Sequence, residues 1–288
     1  MNAHERVGSK DTARLIGTIL VEAGRLDAED AERVNQLQDE QGIRFGEAAI
    51  RLGLLSAADI EFALSTQFGY TCLTRGESKV SERLVAAYAA SGPELEALRA
   101  LRSQLIQRWF NGEPGRKALA VVSAGRNEGR SFIAANLAVV FSRLGQLTLL
   151  IDADLRHPSQ HELLGIDNGA GLSTVLAGRA RHEVIQPIPA LPALSVLTAG
   201  APAPNPQELL SRSTFAHLLK EIAPEYSLIL LDTSSADECT DGHTVALRAG
   251  GALVVVRKDI TRASATRGVC DSLAQAGAAV VGTVLNDF

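Results

Sequence analysis

Eight residues, Ala124-Gly125-Arg126-Asn127-Glu128-Gly129-Arg130-Ser131, stand between an apolar run at 118–123 and a helical pattern that begins at Phe132. Backbone N–H groups from such a loop, and from the first turn of the helix behind it, can converge on one concavity and hold phosphate oxygens. Gly125 and Gly129 allow close backbone approach, and Ser131 stands where a hydroxyl can ligate Mg2+. This is the layout of a P-loop, with Arg130 in the position usually held by Lys. An Arg keeps the attraction for phosphate but presents a planar fork instead of a compact charge. Two more apolar runs end in carboxylates: 149–151 leads into Asp152-Ala153-Asp154, and 228–231 leads into Asp232-Thr233. Mg2+ takes one or two carboxylates with water and phosphate oxygens, and a further carboxylate can orient or deprotonate an attacking hydroxyl. A glycine turn or a strand-end Asp taken alone is equally well read as a turn or a helix cap. The three segments together point to a nucleotide–Mg2+ site.

Positioning these residues requires an alternating frame. Strands are predicted at 118–123, 147–152, 194–198, 228–232, 252–257 and 280–285, and helices at 131–144, 207–222, 240–249 and 264–276. Apolar strands alternating with helices imply an α/β fold with a mainly parallel sheet covered on both faces. Such sheets place ligands at the carboxyl ends of their strands, where the loop and the aspartates fall. The chain has 288 residues, 46% of them hydrophobic and 21% charged, with a net charge of −5, which is ordinary globular composition. That charge gives no general attraction to nucleic acid or anionic lipid. No apolar run approaches the ~18–20 residues of a membrane span, and no signal peptide is expected. Cys72, Cys239 and Cys270 show no CxxC spacing, so a reducing, cytoplasmic setting and no zinc site are expected.

Residues 1–13 are polar and patternless and are expected to be a disordered start. Residues 14–70 are helical in period and contain a repeat at an offset of 29: Leu15-Ile16-Gly17 aligns with Arg44-Phe45-Gly46, Gly24 with Gly53, Leu26 with Leu55, Asp30 with Asp59, and Gln38 with Gln67. Each unit reads as helix, glycine turn, helix, the second helix starting near Asp27 or Ser56. Residues 71–93 read as a linker holding one short helix near 81–88. Pro93 opens a helix that runs over 94–110 and leads into the P-loop region, 94–288.

The stretch from Glu94 resembles the bacterial tyrosine kinases of capsule and exopolysaccharide export. Ala124–Ser131 is similar to their Walker A loop, Ile151-Asp152-Ala153-Asp154-Leu155-Arg156-His157-Pro158 to their Walker A′ motif, and Leu230-Leu231-Asp232-Thr233 to their Walker B motif. Asn205-Pro206-Gln207-Glu208-Leu209-Leu210 is a further signature. With Asp152-x-Asp154-x-Arg156, it separates the chain from the partitioning ATPases of the same superfamily. The resemblance implies an ATP- and Mg2+-dependent protein-tyrosine kinase. Ala124, Gly125, Arg126, Asn127, Glu128, Gly129, Arg130, Ser131 and Phe132 would wrap the ATP phosphates, and Asn286 would contact the base. Ser131, Asp154 and Asp232 would hold Mg2+, Asp152 would be the base for the acceptor hydroxyl, and Arg130 would stand for the phosphate-binding Lys. Glu96, Arg99 and Arg102 resemble the family's subunit-contact motif, although their spacing also suits a solvated helix face. Three positions depart from the pattern: Arg130, Ser234-Ser235 in place of prolines after Asp232-Thr233, and a tail without a tyrosine cluster. The tyrosines are Tyr70, Tyr88 and Tyr226, so self-phosphorylation of a tail cluster is not expected.

The repeat resembles the N-terminal domains of type II secretion and pilus ATPases, some of which bind cyclic di-GMP. The second copy matches through Arg44, Gly46, Gly53, Leu54, Leu55 and Gln67, and the alternative is a helical docking domain with no ligand. Together the two parts are similar to the EpsG-type chain-length determinant kinases. That likeness implies exopolysaccharide polymerisation and chain-length control, a membrane chain-length (co-polymerase) partner, self-association, and a place at the inner membrane through that partner. The competing function is an ATP-binding assembly switch without phosphoryl transfer. Elsewhere, His157 and His161 carry no metal pattern, Trp109 and Phe110 read as packing, and Arg257 and Lys258 end a strand at the edge of the loop.

Overall fold

The computed structural model describes residues 16–67 and 72–287. The chain divides into two compact units, one built from the N-terminal helices and the other from Leu73–Tyr88 together with Gly92 onward.

The first unit contains α1 (Ile16–Glu22), α2 (Ala28–Gln41), α3 (Phe45–Arg51) and α4 (Ala57–Gln67). Helix α1 packs on α4 and α2 on α3 around a core that includes Leu20, Val34, Ala48, Ala49 and Ala63. The repeat has a physical meaning at its glycines. A Cβ on Gly17 would lie 3.1 Å from the Phe45 ring, and one on Gly46 would lie 2.9 Å from Ile60. Both positions therefore hold a close helix contact that any larger residue would push apart. Gly24 and Gly53, at φ 67° and 69°, are the left-handed turns after the first helix of each pair. Ser56 and Asp59 cap α4 reciprocally: the Asp59 carboxylate accepts the Ser56 N–H at 3.0 Å, and the Ser56 hydroxyl accepts the Asp59 N–H at 3.3 Å. The Ser56 hydroxyl also donates to the Asp59 carboxylate at 2.6 Å, and that bond with the Ser56 N–H holds the Asp59 pKa below its ordinary value, helped by Arg25 at 2.9 Å.

The second unit contains α5 (Val85–Tyr88), α6 (Pro93–Arg108), β1 (Ala118–Ser123), α7 (Arg130–Ser142), β2 (Thr148–Asp152), α8 (Gln160–Leu164) and α9 (Leu172–Leu176). It continues with β3 (Gln186–Pro187), β4 (Leu194–Leu197), α10 (Pro206–Ser211), α11 (Ser213–Ile222), β5 (Leu228–Asp232), α12 (Asp241–Ala249), β6 (Gly251–Arg257), α13 (Ala263–Gln275) and β7 (Ala279–Asn286). The strands form one sheet in the order β3-β4-β2-β5-β1-β6-β7, parallel except for β3 against β4. Strands β1, β2 and β5 are buried along their whole length, as strands covered on both faces must be. One face carries the core shared by α9–α13, including Phe215, Leu210 and Val245. Helix α7 packs against β1, β2 and β5 and is itself buried along most of its length. The expected α/β P-loop architecture is therefore present.

Three expectations are corrected. The helix expected over 207–222 breaks at Arg212, whose ψ of 151° is extended, so α10 and α11 meet the core as separate pieces. Strand β3 was not foreseen; two residues, one of them proline, carry no period. Most of the expected linker is not a linker. Val80, Leu84, Ala86, Ala87 and Tyr88 are buried in the second unit. The Ala86 N–H donates to Asn136 Oδ1 at 2.9 Å on fully buried Asn136, Ser81 N–H to the Leu163 carbonyl at 2.8 Å, and the Tyr88 hydroxyl to the Val80 carbonyl. A Cβ on Gly165 would sit 2.2 Å from the Lys79 carbonyl oxygen, so only glycine admits this segment. The expected disordered start, residues 1–13, lies outside the described residues.

Trp109 packs as expected, its ring against Gly251 and its Nε1–H donating to the Ala118 carbonyl at 2.9 Å. Asn136→Ala leaves the buried Ala86 N–H without an acceptor and is expected to lower stability by roughly 1–3 kcal/mol. Urea unfolding measures this, and a loss below about 0.5 kcal/mol would contradict the docking of 73–88 onto α7.

Candidate active site

The loop from β1 to α7 turns on two left-handed residues, Asn127 at φ 56° and Gly129 at φ 96°. A Cβ on Gly125 would meet Glu128 Oε1 at 3.0 Å, so the loop closes tightly on itself there. Its outer side is tied to the β5–α12 connection, with Ala236 N–H donating to the Ser123 carbonyl at 3.0 Å and Asp237 N–H to the Ala124 carbonyl at 2.9 Å. The cleft above the loop is about 550 Å3 and includes Arg126, Asn127, Gly129, Arg130, Ser131 and Phe132. Ala124 and Glu128 are buried behind it. Asn286, expected to contact the base of a nucleotide, lies under the loop. It is buried, and its Nδ2 donates to the Glu128 carbonyl at 2.9 Å, bracing the turn from the end of β7.

Arg130 does not extend outward like a phosphate-binding Lys. The residue is 8% exposed, and its guanidinium folds beneath the loop. Nε donates to the Thr233 carbonyl at 2.8 Å, and Nη1 donates to Ser123 Oγ at 2.5 Å and to the Gly125 carbonyl at 2.9 Å. Only Nη2 faces a carboxylate, Asp154 Oδ2 at 3.9 Å. One planar fork thus joins the Walker A loop, the residue after β5 and the loop after β2.

The three aspartates divide by depth. Asp152 and Asp232 are partners in register across β2 and β5, and both are fully buried. Asp152 accepts the N–H groups of Asp154 at 3.2 Å, Ser159 at 3.0 Å and Gln160 at 3.0 Å, which shapes the turn from 152 to 160. Asp152, expected as the base for the acceptor hydroxyl, is thus buried and engaged by backbone, and the carboxylate that lines the cleft is Asp154. Burial, with Asp232 beside it, pushes the Asp152 pKa well above the carboxylate range. Burial also raises Asp232, to about 6, against the pull of the Arg130 charge.

Gln160 is the site residue that the sequence pattern missed. Fully buried, it donates from Nε2 to Asp232 Oδ2 at 2.8 Å and to the Ser131 carbonyl at 3.1 Å, linking Walker A to Walker B. Its only sequence signal is its place after Pro158 at the start of a helix. Asp241 is a second omission; buried at the start of α12, it pairs with Arg156 at 2.8 Å.

The donor set fits Mg2+. Asp232 Oδ1 is buried without a hydrogen-bond partner among the described residues. Asp154 and the Ser131 hydroxyl stand at the cleft beside it. Among the described residues no three His, Cys, Asp or Glu side chains form a metal cage. A Mg2+ here would therefore complete its shell with water and phosphate oxygens.

Outside this cleft, Glu96 and Arg99 form an ion pair at 2.5 Å on α6, and Arg102 Nη1 donates to the Val140 carbonyl at 3.2 Å. Arg257 Nη1 donates to the Asn127 carbonyl at 3.2 Å, so it supports the loop, and Lys258 pairs with Asp287. In the first unit a cleft of about 680 Å3 is lined by Gly17, Asn35, Gln38, Arg44 and Phe45 among others. Of the six residues expected to bind cyclic di-GMP, Arg44 lines it. Gly46 packs on Ile60, Gly53 is a turn, Leu55 is core and Leu54 packs against that core. The side chain of Gln67 lies outside the described residues.

A carboxylate whose folded pKa exceeds its unfolded value destabilises the fold where it is ionised. For Asp232 the penalty is absent below about pH 4, grows through pH 4–6 and is complete above the folded pKa of about 6. With divalent cations chelated, Asp232→Asn is expected to stabilise the protein by roughly 2–3 kcal/mol at pH 7.5 and not at pH 4. Urea unfolding at the two pH values checks this; equal effects at both would contradict it.

No protein-family profile matches the chain. It is 30% identical over 209 residues to the tyrosine-protein kinase YwqD of Bacillus subtilis, covering 73% of this chain and 87% of that one. It spans only 26–27% of other curated tyrosine-protein kinases that it matches at 32% identity. The kinase domain of the Escherichia coli tyrosine kinase ETK superposes with a TM-score of 0.67 at 30% identity, over 78% of this chain and 92% of that one. The septum site-determining protein MinD of Pyrococcus horikoshii, solved with Mg-ADP, superposes with a TM-score of 0.53 at 25% identity, over 59% of this chain and 70% of that one. With a P-loop, two in-register aspartates and these similarities, the chain belongs to the family of bacterial tyrosine-protein kinases.

Proposed function

We propose that this chain binds ATP with Mg2+ in the cleft above the P-loop and transfers the γ-phosphoryl group to tyrosine on protein. The observation that carries the reading is that Ser131 and Asp154 line the cleft after a left-handed glycine loop, while Gln160 ties Ser131 to Asp232, whose buried Oδ1 has no partner among the described residues. A bound Mg2+ supplies charge neutralisation on the phosphate oxygens. Gly129, Ser131 and Phe132 direct the first N–H groups of α7 toward the phosphates. Gln160 fixes the Asp232 carboxylate, and Arg130 fixes the loop. Asp154, the carboxylate at the cleft, is placed to orient the acceptor hydroxyl or the metal. Asp152 holds the turn that presents Asp154.

On the sequence resemblance, the proposal extends to exopolysaccharide polymerisation and export, beside a membrane chain-length partner. No helix among the described residues is long and apolar enough to cross a membrane, so attachment through that partner is part of the proposal. Self-association would use the exposed face of α6 that carries Glu96 and Arg99.

A second reading, an ATP-binding assembly switch, is favoured by one observation: Arg130 is folded inward and not aimed at phosphate. Cyclic di-GMP is then a candidate signal for the first unit, where Arg44 and Gln38 face one cleft.

The two readings separate on one assay. Labelled γ-phosphate from ATP·Mg2+ is expected on protein tyrosine, and Asp154→Asn is expected to lower the rate about 100-fold or more. ATP binding without Mg2+ should persist in that variant. Absence of label with wild-type protein that binds ATP would favour the switch.

A further inference from the structure

Segment 73–88 does more than pack. It carries Arg83 to the lining of the cleft that the phosphate loop also lines, with Ser81, Glu162 and Leu163. Its backbone is fixed on both sides of that residue. Val80 and Leu84 are buried, Ser81 N–H donates to the Leu163 carbonyl at 2.8 Å, and Leu84 N–H donates to the Ser81 carbonyl at 3.0 Å. Arg83 itself is exposed.

The cleft's other arginines already have protein partners. Arg126 pairs with Glu238 at 2.8 Å, Arg257 bonds the Asn127 carbonyl, and Arg130 is folded beneath the loop. The Arg83 guanidinium has no hydrogen bond or ion pair among the described residues, and Glu162 lines the same wall without pairing to it. A P-loop normally sends its own lysine to the outer phosphates. Here that position is turned inward, and a different cation faces the same space from a segment outside the P-loop core.

We propose that Arg83 is a phosphate-binding residue of this cleft, supplying to the outer phosphates of the nucleotide the charge that Arg130 withholds. The inference rests on the cleft being a nucleotide site, as argued above. A guanidinium is suited to the task because its fork can take two phosphate oxygens at once.

The test is calorimetric titration of the full chain with ATP, ADP and AMP, each with Mg2+, for wild type, Arg83→Gln and Arg83→Lys. Arg83→Gln is expected to weaken ATP binding about tenfold, ADP less, and AMP not at all, with Arg83→Lys in between. The apo melting temperature should not move, because the side chain has no protein partner to lose. Equal ATP affinity in wild type and Arg83→Gln would overturn the inference and leave the nucleotide site standing. So would an effect confined to the KM of the acceptor, which would assign Arg83 to the acceptor. Wild-type protein that binds no ATP would overturn the underlying reading, and this inference with it.

Discussion

The buried guanidinium of Arg130 is the constraint on which the rest of the site depends. Five backbone and side-chain groups from three segments converge on it: Thr233, Ser123, Gly125, Asp154 and, through charge, Asp232. An ammonium would be a point charge with three donors and no plane, and could not span the same acceptors from one position. Burial of so strongly polar a group is tolerated because Nε and Nη1 are hydrogen-bonded and carboxylates lie beside it. The consequence is a loop held in place by protein contacts. Preorganisation of this kind lowers what binding must spend on ordering the loop.

The same economy explains the carboxylates. Parallel pairing of β2 and β5 places Asp152 against Asp232 at the ends of two buried strands, where two negative charges oppose each other out of water. Backbone N–H groups relieve Asp152, and Gln160 and Arg130 relieve Asp232, yet one oxygen of Asp232 is left over. A site strained in this way would be stabilised by a cation bound there, since ligand binding to the folded state alone raises stability. Asp154 is different: its N–H-capped turn presents it to the cleft, so it can act on what enters.

Much of this was legible in the sequence. The strands announce themselves because doubly buried strands are continuous apolar runs, and Asp152, Asp154 and Asp232 fall at their ends. The repeat of the first unit was readable because each copy must supply the same glycine contact and the same left-handed turn. What could not be read is side-chain direction. Arg130 occupies the lysine position, but whether its fork points at phosphate or at Thr233 depends on atoms 103 residues away. Gln160 is in the same class, since its partner Asp232 is 72 residues distant. Segment 73–88 was hidden for another reason. Its buried residues, Val80, Leu84 and Tyr88 among them, are scattered through a polar stretch with no period, and they find their core only where Asn136 and Gly165 make room.

The direct test of the claim that Arg130 is a brace is Arg130→Lys, followed by urea stability without nucleotide and by γ-phosphate transfer. The account predicts a loss of about 1–3 kcal/mol, from buried acceptors left unmatched, and no gain in transfer. A lysine variant as stable as the wild type and faster in transfer would contradict it, and would return position 130 to the direct role in phosphate binding that its place in the loop suggests.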